Sequence, residues 1–63
     1  MITAEGRPVE FKEGMSVFDV IAEANLDASL SIVMLNDTVV HDVRRCIVHD
    51  GDEIKLLKIV SGG

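Results

Sequence analysis

The chain has 63 residues, of which 48% are apolar, with no Trp or Tyr and a formal net charge of −5. This length allows one small domain, which would bury only about 60% of the surface of its unfolded chain. The negative charge argues against nucleic acid and anionic membranes as partners, and no apolar run approaches the roughly 20 residues that span a bilayer. A domain this small has little room for an enzyme active site, so we expect a protein on which other proteins act.

Residues 1–12 have the alternation of a β-hairpin. Gly6-Arg7, between the two apolar runs, suits a type II′ turn. Pro8 must then lie at a strand start or on an edge strand, because it has no N–H to donate. The side chains expected to face inward are those of Ile2, Ala4, Val9 and Phe11.

A short helix is predicted from residue 17 to about residue 25. Ser16 is expected to be its N-cap, with Asp19 three residues later in a capping box. Asn25 is expected to end the helix, and Leu26 to fold back onto the core. One helical face carries apolar residues at the spacing i, i+3, i+4 and i+7, namely Val17, Val20, Ile21 and Ala24.

Three more strands are predicted in the second half of the chain. The apolar run 30–35 and the segment Thr38–Val40 flank a tight turn at Asn36-Asp37. A crossing loop over residues 41–49, with Val48 tucked inward, leads to the last strand, Glu53–Lys58.

This order of elements predicts an α+β fold of the β-grasp (ubiquitin-like) kind. Its five-stranded mixed sheet would carry one main helix packed on one face. The last strand would lie parallel to the first, which the long connection between them allows. We expect a single domain over residues 1–58 and a flexible C-terminal tail over residues 59–63.

The third predicted strand carries apolar residues on both of its sides. If Val33 and Leu35 point towards the helix, Ile32 and Met34 face solvent, and Leu57 does so on the last strand. A strand with one wet face normally alternates polar and apolar residues, and a contiguous exposed apolar patch marks a protein partner. We therefore predict a partner-docking face at Ile32, Met34 and Leu57.

The loop over residues 41–49 contains His41, Cys46 and His49, which could suggest a metal site. Three ligands in one short loop would need a fourth, and their spacing matches no established zinc pattern. We expect no metal, and Cys46 to be a small buried apolar residue instead of a sulfur relay. A lone cysteine and the lack of an evident signal peptide after Met1 lead us to expect a cytoplasmic protein.

The chain ends in Gly62-Gly63, which adds no side chain to a core. Such an end presents a bare, sterically minimal carboxylate. An ATP-using enzyme can convert a carboxylate into an acyl-adenylate, which a sulfur or nitrogen nucleophile then attacks. Residues without a Cβ pass most easily through the narrow channel that leads to the α-phosphate. The alternative is an incidental unstructured terminus.

Three stretches resemble the small sulfur-carrier proteins: residues 35–40, 48–54 and 59–63. The similarity is closest to the ThiS type of thiamine-thiazole synthesis, and next to the small subunit of molybdopterin synthase. It covers the whole chain, and the order of the motifs and their distance from the terminus make it fairly specific. Asn36-Asp37 stands where relatives often have Asn-Gly. The chain is shorter than typical molybdopterin-synthase subunits, which favours the thiazole type.

The resemblance implies that an E1-like enzyme using MgATP adenylates the carboxylate of Gly63. A persulfide sulfur, usually supplied through a cysteine desulfurase, would convert it to a thiocarboxylate and then pass to a thiazole synthase. The carrier would bind no cofactor and contribute no catalytic side chain. Gly63 would carry the sulfur and Gly62 would permit passage, while Ile59, Val60 and Ser61 form the rest of the tail.

Other functions remain open from the sequence. The chain resembles carriers for molybdopterin and for other thiocarboxylate pathways as well. A ubiquitin-like protein modifier would use the same Gly63 in an isopeptide bond to a lysine. A plain β-grasp interaction module would have an incidental terminus.

Overall fold

The computed structural model describes residues 1–59 of the chain. Its elements are β1 (Ile2–Ala4), β2 (Arg7–Val9), α1 (Val17–Glu23), β3 (Ser31–Leu35), β4 (Thr38–Val40) and β5 (Glu53–Lys58). The strands form one sheet in the order β2-β1-β5-β3-β4. β1 and β5 are parallel and the other neighbours are antiparallel. The predicted order of elements and the mixed five-stranded sheet are confirmed.

The core lies between α1 and one face of the sheet. The helix buries Val17, Val20 and Ile21. The sheet and the flanking loops contribute the other buried apolar residues, which are Ile2, Ala4, Val9, Met15, Ala24, Val33, Val48 and Ile54. Phe11 lies beyond the end of β2, which is shorter than predicted, but still packs against this core.

The turn between β1 and β2 differs from the prediction. Ala4 pairs with Arg7, so the turn residues are Glu5 and Gly6 and not Gly6-Arg7. Both have positive φ, 50° and 78°, which is the conformation of a type I′ turn and not of type II′. The carboxylate of Glu5 also accepts the N–H of Leu56 at 2.8 Å, and this distant contact holds Glu5 in the turn.

The helix begins as its sequence predicts. The Oγ of Ser16 accepts the N–H of Asp19 at 3.2 Å, and Oδ2 of Asp19 accepts the N–H of Ser16 at 2.9 Å. This is the predicted capping box. The N–H of Val17 has no partner within the helix and donates to the carbonyl of Cys46 at 2.8 Å. This bond holds the loop between β4 and β5 against the start of the helix.

The helix ends at Glu23, slightly earlier than predicted. Asn25 has a φ of 59°, which is the left-handed conformation of a residue that follows a helix. Its N–H donates to the carbonyl of Ala22, and that of Leu26 donates to Ile21, both at 3.1 Å. These two bonds form a Schellman motif, which turns Leu26 back onto the core as expected.

Candidate functional site

The face of the sheet opposite α1 carries an exposed pair of aliphatic side chains. Ile32 on β3 lies directly opposite Leu57 on β5, and their exposed fractions are 39% and 50%. Side chains opposite each other in an antiparallel pair are in contact range. Both residues therefore face outward and lie side by side, as their alternation predicts.

Met34 and Val39 extend this pair towards the edge of the sheet. Met34 is half-buried and lies opposite Val39 on β4, and Val39 is 45% exposed. The sequence analysis missed Val39, because the short strand Thr38-Val39-Val40 does not show which valine faces inward. We use the name bare face for the outward side chains of Ile32, Met34, Val39 and Leu57.

Charged side chains accompany the bare face on β5 and at the β3–β4 turn. The Nζ of Lys55, which lies opposite Met34, is 3.8 Å from Oδ1 of Asp37 and 3.8 Å from Oε1 of Glu53. Exposed ion pairs at this distance add little to the free energy of unfolding. Charges at the rim of an apolar patch instead select the orientation of a partner.

The chain leaves the sheet next to the bare face. Ile59 follows β5, is 60% exposed, and donates its N–H to the carbonyl of Leu30 at 3.0 Å. It lies two residues after Leu57. A partner that covers Leu57 therefore has Ile59 within reach. The other predicted tail residues, Val60, Ser61, Gly62 and Gly63, lie outside the described residues, and their roles stay predictions.

At the opposite end of β5, Asp52 joins two turns. Its side chain is 15% exposed and accepts the N–H of His49 at 2.7 Å and Nδ2 of Asn36 at 2.9 Å. Oδ1 of Asn36 in turn accepts the N–H of Glu53 at 2.9 Å. The backbone bond from His49, helped by Asn36, holds the pKa of Asp52 below its ordinary value of 3.8. The two turn motifs of the sequence thus form one hydrogen-bonded unit that shapes the fold.

The histidines and the cysteine of the loop are not placed together as a set of ligands. In residues 1–59, no group of three His, Cys, Asp or Glu side chains is placed to hold a metal ion. Cys46 is half-buried and packs against the core. Within the same residues, α1 is too short and too polar to cross a membrane, and no other helix could do so.

One helix packs across a face of this mixed sheet, and the first and last strands, β1 and β5, lie side by side and parallel within it. This arrangement defines a β-grasp domain. The profile of the ThiS family matches residues 2–63. The chain therefore belongs to the ThiS family, which places it among the small sulfur-carrier proteins.

Solved structures include a similar fold. A crystal structure of a thiamine biosynthesis protein (ThiS) from Geobacter metallireducens has a TM-score of 0.73 and 24% sequence identity, covering 98% of this chain and 97% of that chain. This likeness confirms the β-grasp fold. A comparison with the curated proteins gives no match.

Proposed function

We propose that this chain carries sulfur for thiamine (thiazole) biosynthesis on the carboxylate of Gly63. The family match extends to residue 63 and so includes the terminal Gly62-Gly63. The similar structure from Geobacter metallireducens is named a thiamine biosynthesis protein. These two findings support the thiazole branch over the other sulfur-carrier branches.

The chemistry requires activation of Gly63 by another protein. A carboxylate oxygen of Gly63 attacks the α-phosphate of MgATP, and pyrophosphate leaves. A persulfide sulfur, supplied through a cysteine desulfurase, then displaces AMP from the acyl carbon. Reductive cleavage of the resulting S–S bond by a thiol leaves the thiocarboxylate. The E1-like enzyme binds the MgATP, and the carrier itself supplies neither a cofactor nor a catalytic side chain. A thiazole synthase accepts the sulfur, and we expect these steps in the cytoplasm.

The observation that carries the docking step is the exposed pair Ile32 and Leu57 beside the exit of the chain at Ile59. Burying these side chains against the activating enzyme removes apolar surface from water. The same contact fixes the place from which the tail leaves the domain. The bare face therefore binds the enzyme while the tail enters its active site.

Intact-mass spectrometry tests the proposal. The purified chain is incubated with its E1-like enzyme, MgATP and a persulfide donor, and one oxygen should be replaced by one sulfur. Deletion of Gly63 should abolish the change. Gly62→Val should block it as well, because a β-branched side chain cannot enter a channel that closes around bare backbone. Sulfur on the Gly63-deleted chain, or on Cys46, would contradict the proposal.

The sulfur acceptor distinguishes the related functions. The thiocarboxylate form should give its sulfur to a thiazole synthase, and the mass of the carrier should then return to its starting value. Transfer to molybdopterin synthase components instead would favour the molybdopterin branch. Covalent adducts between Gly63 and lysine side chains in cell extract would favour a protein modifier.

A further inference from the structure

Within residues 1–59, the carboxyl half of the central strand β5 has β3 on one side but no strand on the side that faces β1. β1 covers only Ile2–Ala4, whereas β5 runs from Glu53 to Lys58. The parallel register pairs Thr3 with Glu53 and Ala4 with Ile54. The carboxyl half of β5 therefore extends past the end of β1.

The hydrogen bonds show which groups face this opening. On the β3 side, the carbonyl of Glu53 accepts the N–H of Asn36, and the N–H of Ile59 donates to the carbonyl of Leu30. Because the direction of the backbone groups alternates along a strand, those of Leu56 and Lys58 face the β1 side. The side chain of Glu5 accepts the N–H of Leu56 at 2.8 Å, where a longer β1 would have placed a carbonyl.

Beyond Glu5, no partner for this edge lies in the described part of the chain. Within residues 1–59, no backbone or side-chain group bonds to the carbonyl of Leu56 or to the N–H of Lys58. Lys58 is an exposed residue at this part of the edge. Free N–H and C=O groups on a strand edge form a template for another extended chain.

The outer edge of the sheet at β2 is less open to pairing with another strand than β5 is at Lys58. The N–H of Thr3 donates to Asp52 on the β5 side, so Pro8, which lies opposite Thr3, turns its nitrogen outward. Proline has no N–H to offer there, and this protects the edge against pairing. The predicted edge position of Pro8 is thereby confirmed. Lys58, by contrast, keeps its donor.

We propose that an extended segment of the activating enzyme adds to β5 as a strand, pairing with the carbonyl of Leu56 and the N–H of Lys58. Glu5 marks the start of this pairing, because its carboxylate already occupies the N–H of Leu56. The inference rests on the proposed function, since Lys58 directly precedes the tail that must enter the enzyme. Two backbone bonds at this point aim the tail, whereas the bare face supplies the apolar contact.

The substitution Lys58→Pro removes the donor and leaves the bonds of Leu57 and Ile59 to β3 in place. Lys58→Ala is the matched control, because it removes the charge and keeps the N–H. We expect Lys58→Pro to weaken binding to the E1-like enzyme about tenfold or more, as loss of an interfacial hydrogen bond does. Lys58→Ala should change it less than about threefold. Unfolding curves of both variants check that the domain remains folded.

Amide exchange on the unmodified chain gives an independent readout. In the complex, the amide of Lys58 should be protected from hydrogen exchange. The exchange is quenched, the chain is released from the enzyme, and the remaining amide protons are measured by NMR. Equal affinities of the two variants, or an unprotected Lys58 amide, would overturn the proposal. The proposal would also be overturned if the free chain associated with itself and Lys58→Pro made it monomeric. The strand added to β5 would then come from a second copy of the chain.

The two proposals fail in different ways. If the unmodified chain neither binds the enzyme nor gains sulfur, the proposed function is wrong. If it does both and Lys58→Pro behaves like Lys58→Ala, only the added strand is wrong.

Discussion

The two faces of the β3–β5 pair carry the same kind of residue with opposite surroundings. On the helix side, Val33 is 6% and Ile54 is 0% exposed, whereas on the other side Ile32 is 39% and Leu57 is 50% exposed. Apolar burial stabilises a fold by about 25 cal/mol per Å², so the inner residues stabilise the isolated domain much more than the outer ones. The proposed association with the activating enzyme accounts for the apolar residues of the outer face.

The comparison is tested most strongly by truncating one residue of each face. Ile54→Ala should lower the free energy of unfolding by about 2–5 kcal/mol, because it leaves a cavity in a fully buried site. A domain of this size has roughly 3–9 kcal/mol in total, so the variant would lose a large share of its stability. Leu57→Ala should change the free energy by less than about 0.5 kcal/mol.

Urea denaturation of both variants measures this difference. Ile54→Val serves as the milder control, with an expected cost of about 0.5–1.5 kcal/mol. Equal losses for Ile54→Ala and Leu57→Ala would contradict the division of the sheet into a stabilising and an associating face.

A charge on the bare face should act on association and not on folding. Leu57→Asp should weaken binding to the E1-like enzyme roughly 10- to 100-fold, because a carboxylate would lose its hydration in an apolar contact. Ile47→Asp is the matched control, since Ile47 is 46% exposed but lies in the loop between β4 and β5. Calorimetric titration of the enzyme with each variant measures the effect. Similar losses for both variants would place the docking surface elsewhere.

The fold could be predicted because its signals are local. Alternation gives the strands, and the capping box at Ser16 and Asp19 gives the start of the helix. The turn at Glu5 and Gly6 could not be predicted in this way. The turn follows from the register that pairs Ala4 with Arg7, and Glu5 bonds there to Leu56, which is far from it in the sequence and appears in no local pattern.

The candidate site also contains residues that local patterns predict and residues that only the assembled sheet reveals. The outward direction of Ile32 and Leu57 could be predicted, because side chains alternate between the two faces along β3 and β5. Val39 was missed because β4 has only three residues, and its face is decided by the register that places it opposite Met34. The open edge at Lys58 depends on the length of β1 relative to β5, which is a property of the assembled sheet.

A mostly buried carboxylate in a turn can also stabilise the domain when it is hydrogen-bonded. Asp52→Ala should lower the free energy of unfolding by about 1.5–3 kcal/mol at neutral pH, since a charged acceptor of two bonds is lost. The pKa of Asp52 is lowered in the folded state, so its stabilisation is complete above the unfolded-state pKa and is lost as the pH falls through the folded-state value.

The stability difference between wild type and Asp52→Ala should therefore be constant above about pH 5 and shrink below about pH 4. Thermal unfolding at several pH values measures it. Asp52→Asn, which keeps an acceptor oxygen, should cost less at neutral pH. A difference that grows in acid would contradict the hydrogen-bonded carboxylate.

The smallest effect is expected at the turn that ends the bare face. Asn36 and Asp37 both have positive φ, 50° and 68°, but only the side chain of Asn36 is tied to Asp52 and Glu53. Asp37→Gly should raise the free energy of unfolding by about 0.5 kcal/mol, because glycine adopts this φ without strain. The ion pair lost with Lys55 is exposed and weak.

Asn36→Gly should instead lower the free energy of unfolding by about 1 kcal/mol, because two hydrogen bonds are lost. Urea titrations of both variants decide the point. Changes of the same sign would mean that the backbone conformation alone, and not the side chain of Asn36, determines the stability of this turn.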